Sequence, residues 1–424
     1  MGPPMTRIRL CRRIPPLLQA LPPLLRALPP LLLALLAVSG CQKKGIEQIA
    51  REELFSLSLG RLDDQIDLFQ FEGATPDRKN RITMRDGQFY IANGNAGTIM
   101  TFTSYGDLIF LLYNPKTNPA PVLLGKGGSA DTVSTRGSVS YPFADLGEIA
   151  VASDKRIYVE DSVPRAKAVR DAARGSLADR VVLRFDRKGR AEGFIGQEGL
   201  GGAPFPYISA LHVTAHDQLV VICRVPDSWL VFWYSREGAL LYQVEIDRAH
   251  LPAAQEKGLI PSLASVMPDM QAPVLHLLIH SYRQTVDEST KTQSSVELVS
   301  SRVWKLDLRT RGYESFVELP RNSPRKEKVG LKTTEIPAPP NDLLGVGSNG
   351  SYYVLGFADP NLYRLQILDP SGRVRAQRYM IIEDSELTYR DLRFSPTGIV
   401  YGLLADQTKA HVSWWRSDLV LKGE

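Results

Sequence analysis

A strand–turn–strand unit that keeps returning constrains this chain more than any other feature. Apolar strands of two-residue period meet short Gly-bearing turns, and the pairing recurs six times: residues 88–93 with 99–108, 157–161 with 181–190, 219–223 with 229–239, 274–280 with 303–313, 352–356 with 362–374, and 399–403 with 411–420. Internal repetition decides architecture before any single motif does. Six degenerate four-stranded units predict an all-β fold, a six-bladed β-propeller of four-stranded antiparallel blades. Such a scaffold says where a site lies and not what it does.

With strands lettered A to D from the axis outward, the expected A–B turns fall at 85–87, 153–155, 215–218, 348–350 and 395–398. The C–D turns fall at 104–107, 186–189, 235–238, 309–312 and 369–372. Gly supplies positive φ in these turns, and Asp or Ser bonds the nearby backbone. Blade four shows no clear A strand before Val274. The length variation sits in the B–C stretches (161–180 and 281–302) and the D–A stretches (114–146, 246–270 and 319–343). In an up-and-down blade these two kinds of connection share one face, so the insertions should crowd one mouth of the ring, where a rigid scaffold presents loops for function. The 161–180 insertion, R-A-K-A-V-R-D-A-A-R at its centre, is expected to form a short surface helix. The basic, Pro-flanked stretch 321–332 is expected to be a solvated loop.

The other strong signal is at the N-terminus. Residues 1–40 carry Arg7, Arg9, Arg12, Arg13 and Arg26 and no acid. Of the 51 basic groups, those outside this leader equal the 46 acidic ones, so the net +5 belongs to the leader and argues for no nucleic-acid partner. An apolar stretch at 28–38 runs into V-S-G-C, ending at Cys41. It is too short to span a bilayer, which takes ~20 residues, and fits a secretory signal with Met1 or Met5 as its start. Residues 41–75 then form a tether. Ile46, Ile49, Ala50 and Leu54 fall at helical spacing there, and the segment beginning at Phe55 is expected to supply an outer strand that helps close the ring. Residues 76–424 are the expected propeller.

Two resemblances extend this reading. The leader resembles a bacterial lipoprotein signal, which implies cleavage before Cys41 and lipid on its sulfur; two acyl chains anchor stably where one is marginal. The I-Y-V-E-D strand at Ile157 with R-V-V-L-R-F-D-R-K-G at Arg180, and F-Y-I-A-N-G-N-A-G-T-I-M-T-F at Phe89, resemble the repeats of NHL-type six-bladed propellers. Together these features are similar to spirochaete-type lipoproteins with such propellers. The resemblance implies an exported, envelope-anchored binding or scaffolding module with a protein or glycan partner. It implies no catalytic set and no cofactor. Gln42 after the cysteine suggests delivery to the outer membrane, by resemblance to enterobacterial sorting.

Six-bladed lactonases hold calcium in the channel through Glu, Asn and Asp, and the counterparts here are Asn93, Asn95, Glu160 and Asp161. Oxygen donors suit Ca²⁺, but the other blades offer Arg224, Gly356 and Leu404, a poor ligand set, and N-G-N-A-G at 93–97 reads as a turn. His212 with His216 and His276 with His280 would share a metal on a helix, whereas on a strand such pairs stand ~13 Å apart. The glycine-rich 125–129 segment lacks P-loop spacing, and no G-x-S-x-G elbow occurs. Cys223, in V-V-I-C, reads as a small buried hydrophobe. A calcium-dependent hydrolase and a subunit of an outer-membrane assembly complex remain the competing expectations.

Overall fold

Strands of continuous apolar character need cover on both faces, and a ring of radially packed sheets provides it. The computed structural model describes residues 47–68, 78–124, 136–252, 258–286, 293–329 and 332–421. Cys41, most of the leader side of the tether and the 125–129 segment lie outside them.

Among the described residues the first strand is β1 (Glu52–Ser58). Blade one is β2 (Asn80–Arg85), β3 (Gln88–Asn93), β4 (Thr98–Phe102), β5 (Leu108–Tyr113) and β6 (Gly137–Ser140), the last added parallel to β5. Blade two is β7 (Ile149–Val151), β8 (Ile157–Ser162), β11 (Arg180–Phe185), β12 (Ala191–Gly196) and β13 (Gly199–Leu200), interrupted by a side hairpin of β9 (Val169–Asp171) and β10 (Ser176–Ala178). Blade three is β14 (Ile208–Val213), β15 (Leu219–Arg224), β16 (Ser228–Tyr234) and β17 (Leu240–Asp247). Blade four is β18 (Leu259–Pro268), β19 (Val274–Val286), β20 (Gln293–Asp307) and β21 (Gly312–Glu318). A second side hairpin, β22 (Arg325–Val329) with β23 (Lys332–Ile336), precedes blade five, which is β24 (Asp342–Val346), β25 (Tyr352–Asp359), β26 (Leu362–Leu368) and β27 (Val374–Ile381). Blade six is β28 (Tyr389–Phe394), β29 (Val400–Ala405) and β30 (Lys409–Trp415), completed by β1. The chain folds as a six-bladed β-propeller, with fifth strands on blades one and two.

Packing explains the count. Leu219, Val221 and Cys223 of β15 point into a core shared with Tyr158 and Val182 of blade two, while Val220 and Ile222 point into one shared with Leu277 and Ile279 of blade four. Period-two alternation thus sends successive side chains into neighbouring blade interfaces. Six such clusters succeed one another around the ring, the last joining Ile82, Phe89 and Ile91 of blade one to Tyr401, Leu403 and Val412 of blade six. Every residue of β16, S-W-L-V-F-W-Y, is buried because blades cover it on both sides. Cys223 is fully buried, and burial pushes its thiol well up from the usual value.

The turns follow the chemistry expected of them. Asp86 (φ 50°) and Gly87 (φ 72°) both take the left-handed region, as a two-residue primed hairpin turn requires. Gly106 (φ 85°) lets the C–D turn of blade one pass close to β1, since a Cβ there would lie 2.6 Å from Cβ of Phe55.

Several expectations are corrected. Residues 52–58 do not continue a tether helix; they pair with β30 from Glu52–Trp414 to Ser58–Lys409 and so belong to the ring. The unpaired edge of blade six outweighs weak helical spacing, because an open edge leaves its backbone groups unmatched. The closing strand therefore starts earlier than Phe55. Blade four does have an A strand, β18, within the stretch read as a loop; Pro261, Pro268 and interspersed serines hide its alternation. Most of 281–302 is not loop but the extension of β19 and β20, paired to Val286–Gln293. The 161–180 insertion holds a single 3₁₀ turn, Arg165–Lys167, and the β9–β10 hairpin rather than a surface helix. The basic 321–332 stretch contributes β22.

Candidate functional site

Antiparallel alternation around the ring places the D–A and B–C connections at one end and the A–B and C–D turns at the other. Both side hairpins and the β19–β20 extension emerge at the first end. The A strands β2, β7, β14, β18, β24 and β28 line the channel, and their two halves make different environments.

Toward the long-connection end lies an ion network. Glu148, just before β7, receives the Nε–H of Arg81 at 2.7 Å and the Nη2–H of Arg393 at 3.0 Å, with Lys79 Nζ 3.9 Å away. Lys79 donates to Glu160 at 2.8 Å and to the carbonyl of Ile208, and it lies over the ring of Tyr207. Arg393 donates through Nε to Asp391 at 2.9 Å, and Asp391 also accepts the backbone N–H of Ile82 at 3.0 Å. Tyr389 donates to the carbonyl of Asn80. Three carboxylates thus meet three cations in a buried space.

Burial alone would raise the Glu148 carboxyl, but Arg393, Arg81 and Lys79 outweigh it and hold the group below its usual range. Glu160 is different. It is 0% exposed, and burial pushes it above the usual range despite Lys79. Its Oε1 has no hydrogen-bond partner, with Arg180 3.8 Å away. A carboxyl closed to solvent serves the network and does not present itself to a substrate.

The residues singled out as calcium ligands are engaged elsewhere. With its amide oriented to satisfy its neighbours, Asn93 donates to Asn80 Oδ1 at 2.9 Å and to the carbonyl of Asp67 at 3.0 Å, and accepts from Asp67 N at 2.7 Å. It ties the segment after β1 to blade one. Asn95 uses its carbonyl to accept from Arg78. Asp161 accepts backbone N–H groups of Ala144, Asp145 and Ser162, shaping the connection into blade two. Glu160 is held by Lys79, so the four do not make a calcium cage. Among the described residues no three His, Cys, Asp or Glu side chains gather as a metal site. His276 pairs with Asp269 at 3.2 Å and with Tyr352, and His280 with Ser301 at 2.9 Å, each within its own set. Sequence reasoning missed Lys79, Arg81, Glu148, Asp391 and Arg393, which come from three separate stretches; only the R-D-x-R pattern of 390–393 and the charged start of β2 hinted at charge facing the channel.

Toward the short-turn end the channel opens into a cavity of about 230 Å³. Arg85, Arg393 and His212 share its wall with Met267, Leu344 and Phe394. His212 is neutral: burial, helped by the positive charge of Arg393, lowers its pKa to about 4. The unfolded chain titrates this imidazole near its ordinary 6.5, so it binds a proton there that the folded ring rejects, and stability falls as pH drops from 6.5 toward 4. The loss reaches about 3 kcal/mol at the lower limit. His212→Gln should flatten that part of a denaturation-versus-pH series; an unchanged slope would show that the imidazole is not buried neutral.

No protein-family model and no curated relative match this chain. Among solved structures it is similar to the polysaccharide lyase Uly1, at 9% identity and TM-score 0.38, over 87% of this chain and 99% of that one. It is similar to the Dos1 propeller at 11% identity and TM-score 0.34, over 85% and 95%. Hydrazine synthase of Kuenenia stuttgartiensis matches at 11% identity and TM-score 0.38, over 79% and 96%.

Proposed function

We propose that this chain is an envelope lipoprotein, anchored through lipid on Cys41, whose propeller is a non-catalytic binding module. The long-connection face is its docking surface. The observation that carries this reading is the gathering of the extra structure at one end of the ring, with apolar side chains left in water. Val169 and Leu177 of the β9–β10 hairpin are 51% and 52% exposed, and Val122, Leu123 and Tyr207 stand exposed in the D–A connections. Aliphatic groups on hairpins suit a protein partner; a glycan would call for a broader aromatic platform. The paired charges beneath that face favour rigidity over turnover, and Glu160, the least satisfied acid, is sealed.

The direction of β1 fits this arrangement. Its first residue, Glu52, lies opposite Trp414, at the short-turn end, and its last, Ser58, opposite Lys409. The closing strand therefore enters the ring at the end away from the long connections.

Replacing 164–178, or 284–296, with a two-residue Asn-Gly turn should leave the melting temperature close to the parent's and abolish capture of a protein crosslinked in intact cells. Cys41→Ser should end incorporation of labelled palmitate and release the chain from membranes. Undiminished capture by both loop variants, or capture only of glycan, would overturn the docking assignment. Persistent palmitate labelling of the serine variant would overturn the anchor.

A further inference from the structure

The cavity at the short-turn end lies apart from the docking face and meets the ion network only at Arg393, and its wall is chemically lopsided. Its only charged lining groups are two arginines, Arg85 at the end of β2 and Arg393 on β28; no Asp or Glu side chain lines it. Arg393 already spends Nε on Asp391 and Nη2 on Glu148. Arg85 has no such partner. Its closest carboxylates are Asp86, at 3.9 Å and itself bound to Lys155 at 2.6 Å, and Asp217, at 4.0 Å and accepting from the N–H and hydroxyl of Ser153. Nε of Arg85 is shut off from solvent without an acceptor, and so is Nε2 of His212. An orphaned buried donor such as Arg85 Nε calls for an occupant, because leaving it unmatched costs free energy that an acceptor recovers. Across the channel, Met267, Met270, Leu344 and Phe394 make an apolar wall, and methionines adapt to irregular shapes.

We propose that this cavity binds a small carboxylic acid with an apolar body, its carboxylate on Arg85 and its tail against the Met267–Phe394 wall. The guanidinium fork matches a carboxylate bidentately. At about 230 Å³ the space falls below the ~300–1,000 Å³ of drug-sized sites, so the ligand is small. Entry is through the A–B turns, from which Met270 and Pro396 reach the cavity. The site is independent of whatever docks at the other end.

Sodium octanoate, titrated calorimetrically into the full chain, should bind saturably at one site per molecule, with octanol about ten-fold weaker or worse. Arg85→Gln should cost octanoate about ten-fold or more, as loss of a charge-assisted hydrogen bond does. Leu344→Trp fills the cavity while leaving every charge in place; it should remove binding without lowering the melting temperature. This keeps the test decisive even if the arginine variant folds poorly. Absence of saturable octanoate binding, equal affinity for octanol, or undiminished binding by Leu344→Trp would each overturn the assignment.

Discussion

Glu148→Leu is expected to destabilise the ring by about 3–5 kcal/mol, the cost of breaking a buried ion cluster from one side. Glu148 is the hub: Arg81 at 2.7 Å and Arg393 at 3.0 Å both donate to it, and Lys79 stands 3.9 Å away. Without this carboxylate three mostly buried cations share Glu160 and Asp391 alone. The attraction in the intact cluster mainly offsets desolvation, so the net worth of the network is small while the penalty for unbalancing it is large. Adding Arg393→Leu to the first substitution should therefore recover part of the loss. Urea unfolding of the parent, the single and the double variant would measure this. A single-variant loss under about 1 kcal/mol would mean that water enters and screens the cluster.

Removing residues 48–59 should have a still larger effect, abolishing cooperative folding. β1 pairs with β30 from Glu52–Trp414 to Ser58–Lys409, buries Leu57 and sets Phe55 against Phe89 and Phe102 at ring-centroid distances of 5.9 and 5.2 Å. Losing it opens blade six along a full edge and uncovers the interface with blade one. A net folding free energy of roughly 5–15 kcal/mol does not survive that. The truncated chain should appear as aggregate, since an exposed edge recruits other strands. Because added strands dock through the same backbone pairing, a synthetic peptide of residues 48–60 should restore soluble monomer. Parental melting of the truncated chain without the peptide would show that the ring does not depend on this closure.

The middle strands of each blade could be read directly. L-V-V-I-C at 219–223 and the strand and turn chemistry at Asp86-Gly87 are local statements: burial on both faces demands continuous apolar residues, and a tight primed turn demands positive φ. The A strands were harder. β18 carries two prolines and faces a channel on one side, so its residues alternate between half-exposed and buried without an apolar signature. The candidate sites show the same division. Glu160 and Asp161 stood out as adjacent acids, yet the side chains that decide their roles, Lys79 for one and the backbone at 144–145 for the other, sit far away along the chain.

Strand period, turn type and the number of blades are properties of short stretches, and the amino-acid order settles them because sterics and burial act over neighbouring residues. Tertiary structure alone decided that Glu52 meets Trp414, that cations of blades one and six converge on Glu148 at the entry to blade two, and that Arg85 faces a cavity lined by no carboxylate with its Nε unmatched. Those contacts arise where the ring closes on itself. Closure brings together groups whose separation along the chain carries no local signal.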